Sequence, residues 1–305
     1  MPSTLDIRSN FLALPGENSN YEESRIAVLP VPYEHTVSFG GGTKDGPKAI
    51  LNASHYVEFY DEELERELCF DVGISTLRPL SFGSKKKKVN KEAVSYIAKK
   101  VEELIKDEKF VAVLGGEHTI SSGPIAAYHK KYPELSVLQF DAHSDFRDEY
   151  EGNKYSHASV MARVADFMDP AQITQVGIRA QAKDESVYIK EHNVSTFYVY
   201  EIRQGKYTKV LRHWQDQVID TLNENVYITF DVDYFDPSVM PATGTPEPNG
   251  MLWDETMGLL QRVGKKKNIV GFDVVELAPM KGLHHPDVTT AKLVYKIMNY
   301  AFQKK

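Results

Sequence analysis

Four short segments of the 305-residue chain carry side chains suited to holding metal ions: Gly115-Gly116-Glu117-His118, Asp141-Ala142-His143-Ser144-Asp145, Asp231-Val232-Asp233 and Glu276. A lone histidine or aspartate after a strand is ordinarily a hydrogen-bonding or helix-capping residue. Asp-x-His-x-Asp differs, because residues two apart in an extended segment point to the same side. Asp141, His143 and Asp145 can therefore face one point, and Asp231 and Asp233 share the spacing. Acids gathered in this way repel one another strongly unless cations lie between them.

The donor types narrow the chemistry. Two imidazoles (His118, His143) and four carboxylates (Asp141, Asp145, Asp231, Asp233) include no thiolate, which argues against structural zinc. The set suits Mn²⁺, and suits Mg²⁺, Fe²⁺, Co²⁺ or Zn²⁺ less well. It is larger than one catalytic ion with an open position needs. Two ions sharing carboxylates fit it, with a bridging hydroxide as nucleophile. The expected reaction is hydrolysis.

Each segment follows an apolar run, at Phe110–Leu114, Ser136–Phe140, Val226–Phe230 and Ile269–Val275. Further strands are predicted at Arg25–Val31, Ile173–Ile178 and Thr196–Tyr200. In Val89–Glu108 the apolar residues Val94, Ile97, Ala98, Val101, Leu104 and Ile105 recur with helical spacing. Other helices are expected near Ile120–Tyr132, Val160–Phe167, Lys183–His192, Thr208–Leu222, Glu255–Val263 and Val288–Phe302, and Asp45-Gly46-Pro47 reads as a loop entering another. Apolar strands alternating with helices predict a mainly parallel sheet covered on both faces. Ligands in such sheets sit beyond the carboxyl ends of the strands, where all four segments fall.

Composition sets outer bounds. Hydrophobic residues make up 42% and charged residues 26%, a globular profile. Thirty-six basic residues against 43 acids give a net charge of −7, unfavourable for wrapping nucleic acid. The lysine-rich stretch Ser81–Lys88 reads as a solvated turn. No apolar run is long enough to span a membrane. Asp6, Arg8 and Glu17 interrupt what a signal peptide would keep apolar. The single cysteine, Cys69, allows no intrachain disulfide, and a cytoplasmic location is expected. Gly40–Lys48 is glycine-rich but lacks phosphate-loop spacing.

Together with Tyr155-Ser156-His157-Ala158, Phe230–Pro237 and Gly271–Glu276, these motifs occur in the order seen in the ureohydrolases. The chain thus resembles the arginase/agmatinase superfamily from about residue 25 onward, and its agmatinase branch most. The resemblance implies a three-layer α/β/α sandwich of arginase type, as one domain over residues 1–305 with residues 1–24 as an N-terminal extension. It implies two Mn²⁺ per subunit and a homo-oligomer, trimeric or hexameric. One ion would be held by His118, Asp141, Asp145 and Asp231, the other by Asp141, His143, Asp231 and Asp233. His157 would handle the leaving group's proton, and Glu276 would accept hydrogen bonds from a guanidinium. The implied substrate is a small cationic guanidino compound, agmatine, cleaved to urea and putrescine.

Some positions depart from the family pattern. Glu117 stands where Asp is common, and Ala158, Ala242 and Asn249 stand where Gly is frequent. Arginases hold their substrate's carboxylate with small polar residues after the Asp145 position. Here Asp148, Glu149 and Glu151 follow instead, either facing a cationic tail at the entrance or simply facing solvent. The alternatives are a hydrolase of guanidinobutyrate, guanidinopropionate, formiminoglutamate or arginine, or a non-catalytic metal-binding protein of the same fold.

Overall fold

The structure, a computed structural model, describes residues 2–83, 89–209 and 212–303. In chain order its strands are β1 (Ile26–Val31), β2 (Ile74–Thr76), β3 (Phe110–Gly115), β4 (Ser136–Phe140), β5 (Ile173–Ile178), β6 (Ser195–Tyr198), β7 (Asn225–Asp231) and β8 (Asn268–Val275). They form one parallel sheet in the order β2-β1-β3-β8-β7-β4-β5-β6.

Alternation along the strands builds two cores. Ile26 and Val28 of β1 and Ala112 and Leu114 of β3 face one side, with the helices Gly46–Ser54, Trp214–Asp220, Trp253–Lys266 and His285–Ala301. Ala27, Leu29, Val111 and Val113 face the other, with the helices Asn90–Lys106, Ser122–Lys131, Val160–Ala165 and Lys183–Glu191. This is the expected three-layer α/β/α sandwich. Phe11, Leu12 and Leu14, ahead of β1, are buried in the first of these cores.

Local differences have local causes. β2 has only three residues, too few for a periodic signal. The chain turns helical at Val199–Arg203, so β6 ends at Tyr198 rather than Tyr200. The helix expected from Thr208 begins at Trp214, where the Asp216 carboxylate accepts the His213 N–H; residues 210–211 of that stretch lie outside the described residues. So do residues 84–88 of the lysine-rich turn.

The four motif-bearing strands are neighbours at the middle of the sheet, and β8, last in sequence, lies between β3 and β7. Leu114 pairs with Val274, Val274 with Phe230, and Phe230 with Phe140, so the four strands end on one level. That register brings His118, the Asp141 segment, Asp231 and Glu276 to one rim. The strand order also reverses here, which opens a crevice.

Gly177 guards this level from β5. It sits at the irregularity in β5–β6 pairing with φ +98°, and an added Cβ would lie 2.3 Å from the Tyr234 ring and 2.9 Å from the Asp141 carbonyl. Gly177→Ala is expected to cost about 1–3 kcal/mol of stability through backbone strain and overpacking. An unchanged urea-unfolding midpoint would show that β5 and Tyr234 can move apart freely.

Candidate metal centre and active site

β3 ends in Gly115-Gly116, and a Cβ at Gly116 would lie 2.0 Å from the Tyr33 carbonyl oxygen, so only glycine permits this close crossing. The crossing brings the loop after β1 over the next residue, the buried Glu117. Its carboxylate accepts the His35 N–H at 2.6 Å, the Thr36 N–H at 2.7 Å and the Thr36 hydroxyl at 2.8 Å. Glu117 is therefore a loop clamp. His118, next in line, is buried with Nδ1 3.1 Å from Asp141 Oδ2, 3.1 Å from Asp145 Oδ2 and 3.3 Å from Asp231 Oδ2.

The other ring nitrogen fixes what Nδ1 can do. Thr229 Oγ1 donates to Asp273 Oδ1 at 2.7 Å, so at 2.9 Å it accepts from His118 Nε2–H. The buried Asp273 also accepts from Ser121 at 2.9 Å and from Tyr227 at 2.9 Å. In neutral His118, Nδ1 is then a lone pair aimed into three carboxylates, and in that form it has no hydrogen-bond donor among the described residues. A lone pair converging with anionic oxygens is an arrangement that a divalent cation satisfies, so the donor set fits the metal that the sequence implies.

The remaining ligand candidates converge on the same spot. Ligand atoms of His118, Asp141 and Asp145 lie within 4.8 Å of one another, as do those of Asp141, His143 and Asp233. Asp141 belongs to both groups. Its carboxylate is oriented by Gln139 Nε2 at 2.8 Å and the His143 N–H at 2.6 Å. His143 Nδ1 lies 2.9 Å from Asp233 Oδ2, and Asp233 Oδ1 accepts the Ala142 N–H at 3.1 Å. Asp231 borders the first group through Oδ2, while its Oδ1 accepts the Asp233 N–H at 2.9 Å.

Electrostatics register the crowding. Burial opposes a charge on His118, yet Asp141, Asp145 and Asp231 hold its pKa well above the usual histidine range. Burial likewise opposes charge on His143, but Asp233 and Asp141 raise it to about 12. Burial would raise Asp141 too, and the two histidines hold it below the carboxylate range. Burial and then the charge of Asp141 push Asp145 up to about 7. Asp231 is raised well above its ordinary value by burial, Asp233 and Asp141. Asp145 and Glu276 also adopt left-handed backbone, with φ +57° and +65°. Such strain costs about 1–3 kcal/mol per residue and clusters where geometry matters more than stability.

A cavity of about 460 Å³ opens over this cluster, its walls including Ser38, Tyr150, His157 and Glu276. Glu276 Oε1 accepts the His118 N–H at 2.7 Å, and burial pushes its carboxyl up to about 8. The His157 N–H donates to Thr36 Oγ1 at 3.1 Å; its ring nitrogens lie 3.4 Å from Thr36 Oγ1 and 3.4 Å from Ser38 Oγ. Burial lowers the pKa of His157, which favours the neutral ring. Seven of the eight sequence-predicted site residues line this cavity, and the eighth, Asp141, is buried among the ligand groups beneath it.

Of the two readings of the acids at 148–151, the structure selects solvent. Asp148 pairs with Lys154 at 3.0 Å and Arg163 at 2.9 Å, and Glu149 and Glu151 are exposed. Their segment contributes Arg147 and Tyr150 to the cavity instead, while Glu185 and Glu247 supply negative lining. Asn249, at a customary glycine, holds φ +62°, a conformation asparagine tolerates. Sequence reasoning passed over Thr36, Ser38, Arg179 and Glu247. Arg179 directly follows β5, and the Thr36 loop follows β1, so the rule of inspecting strand ends reaches both.

Comparison with known proteins agrees with this geometry. A family profile described as "Arginase family" matches residues 24–302. The chain belongs to the arginase family. It is 37% identical over 285 residues to the N(1)-aminopropylagmatine ureohydrolase of Synechocystis sp., covering 92% of this chain and 90% of that protein. It is 31% identical over 291 residues to the agmatinase of Bacillus subtilis, covering 93% and 94%. The solved agmatine ureohydrolase of Thermoplasma volcanium superposes with a TM-score of 0.82 at 30% identity, covering 93% of this chain and 92% of that one. As an arginase-family protein the chain is a hydrolase. Among the described residues no helix is long and apolar enough to cross a membrane.

The Asp273–Thr229–His118 chain generates a test. Thr229→Val removes the acceptor that orients His118, and Mn²⁺ affinity is expected to fall about 10–100-fold. Unchanged affinity in a metal-competition titration would show that the ring holds its orientation without Thr229.

Proposed function

We propose that this arginase-family hydrolase cleaves agmatine to urea and putrescine with the help of two divalent ions, Mn²⁺ by ligand type. The observation that carries the reading is Asp141, one carboxylate shared between two separate ligand groups beneath the cavity. His118, Asp141, Asp145 and Asp231 would hold one ion; Asp141, His143, Asp231 and Asp233 would hold the other. A metal pair in this position supplies a deprotonated water near neutral pH.

The chain's own residues supply the remainder. Glu276 has one oxygen occupied by the His118 N–H. Its other oxygen is available to accept from a guanidinium N–H and to aim the guanidine carbon at the attacking oxygen. As the C–O bond forms and the C–N bond to the alkyl amine breaks, that nitrogen needs a proton. His157, held by Thr36 and Ser38 at the cavity wall, has the right chemistry to deliver it. A guanidinium cation suits a site whose lining acids outnumber its basic residues.

A second reading is favoured by the 37% identity to an N(1)-aminopropylagmatine ureohydrolase, against 31% to the Bacillus subtilis agmatinase. In that reading the same reaction acts on agmatine extended by an aminopropyl group. The proposal further takes residues 1–305 as one ureohydrolase domain, supported by a single sheet from Ile26 to Val275. It includes a cytoplasmic homo-oligomer of trimeric or hexameric type. Phe39 and Tyr56, 86% and 83% exposed, are apolar surface that assembly would cover.

Urea release in the presence of Mn²⁺ tests the reaction across agmatine, aminopropylagmatine, arginine and 4-guanidinobutyrate. One of the two amine-tailed substrates is expected to exceed arginine in kcat/KM by roughly tenfold or more. A preference for arginine or for the guanidino acid would overturn the substrate assignment. In His157→Ala, kcat is expected to fall roughly 10²–10⁴-fold while metal content is retained. Loss of metal in that variant would place His157 among the ligands.

A further inference from the structure

The acids lining the cavity are Asp145, Glu185, Asp231, Asp233, Glu247 and Glu276. Most are already engaged. Asp145, Asp231 and Asp233 face the two histidines. Glu276 accepts the His118 N–H. Glu185 accepts the Phe146 N–H at 2.9 Å through one oxygen and the Ala182 N–H at 2.6 Å through the other. Glu247 is different: its backbone carbonyl is hydrogen-bonded, but among the described residues its carboxylate meets no hydrogen-bond donor, the nearest charged group being His143 Nε2 at 4.0 Å. That separation is too long for a hydrogen bond.

Arg179 explains why this carboxylate is held at the cavity while remaining free. Its guanidinium donates to the carbonyls of Gly177, Asp233, Tyr234, Phe235, Glu247 and Pro248. It thereby ties the loop around residue 247 to the turn that carries Asp233. These donors are directed at backbone oxygens rather than at the Glu247 carboxylate, which is left with an uncommitted negative charge beside His143. Beyond the aspartates, two glutamates thus reach the histidines: Glu276, which accepts the His118 N–H and is suited to the guanidinium, and Glu247, whose carboxylate has no hydrogen-bond donor among the described residues.

We propose that Glu247 is the specificity-determining carboxylate that receives the cationic amine of the substrate's tail. The proposal rests on the reading of the site as a guanidine hydrolase and extends it to the far end of the substrate. A charge-assisted hydrogen bond to an ammonium would satisfy Glu247 without disturbing any contact it makes in the fold. Substrates with an alkyl tail would gain nothing from it, and those ending in a carboxylate would be repelled.

The test is Glu247→Gln in the Mn²⁺-loaded protein, with urea release measured from agmatine and from n-butylguanidine, which keeps the guanidinium and lacks the amine. For agmatine kcat/KM is expected to fall about tenfold or more, mainly through KM, because a charged partner is lost. For n-butylguanidine it is expected to stay within about twofold. Calorimetric binding of putrescine to the same variant is expected to weaken in parallel with the agmatine effect. Equal losses for both substrates would overturn the proposal and assign Glu247 to the support of His143. No change for either would overturn it as well. Failure of the unaltered protein to release urea from either substrate would instead overturn the underlying guanidine-hydrolase reading.

Discussion

Buried like charges govern this molecule. Asp141, Asp145, Asp231 and Asp233 are all nearly inaccessible and converge on two histidines, with Glu276 close behind. Such a gathering is costly in a low-dielectric interior unless positive charge is placed within it. With no cation among them, the neighbouring carboxylates raise the pKa of both histidines, and burial together with neighbouring carboxylates raises Asp145 and Asp231. A divalent pair would supply the positive charge, and its binding free energy would then add to the stability of the folded chain.

The scaffold supplies what a charge cluster cannot supply for itself, a rigid position. Four parallel strands ending on one level fix the origin of every ligand segment, and strand ladders resist the spreading that repulsion favours. Around them, neutral and anionic hydrogen-bonding groups orient individual atoms. Gln139 turns Asp141, Thr229 and Asp273 turn His118, and Glu117 places the loop that reaches His157. Glu117 illustrates how a departure from the family pattern can carry meaning. Its carboxylate takes two backbone N–H groups and one hydroxyl of the loop after β1, so one side chain organises the wall opposite the ligands.

Much of this was legible in the chain itself. The Asp141-x-His143-x-Asp145 and Asp231-x-Asp233 spacings are short-range patterns, and strand geometry converts them directly into shared direction. The apolar runs before them announced the sheet for the same reason. What could not be read depends on long-range placement. Thr36 reaches His157 across 121 positions, and Arg179 reaches the carbonyl of Glu247 across 68. The acids at 148 to 151 could not be assigned between the entrance and solvent because Arg163, which binds Asp148, approaches from a helix whose orientation the sequence leaves open. β2 is short enough that only its pairing with β1 reveals it as a strand.

The place of β8 has a consequence for how the chain comes into being. Residues 268–275 are made after the other seven strands of the sheet, yet they fill the slot between β3 and β7. During synthesis the sheet can grow as two partial sheets, β2-β1-β3 and β7-β4-β5-β6, each with an unsatisfied inner edge. β8 is the strand that joins these two halves, and His118 follows β3 on one side of it while the aspartates follow β4 and β7 on the other. Until β8 is made, β3 and β7 each lack this neighbour, so a chain halted before it would expose two strand edges open to pairing with another chain.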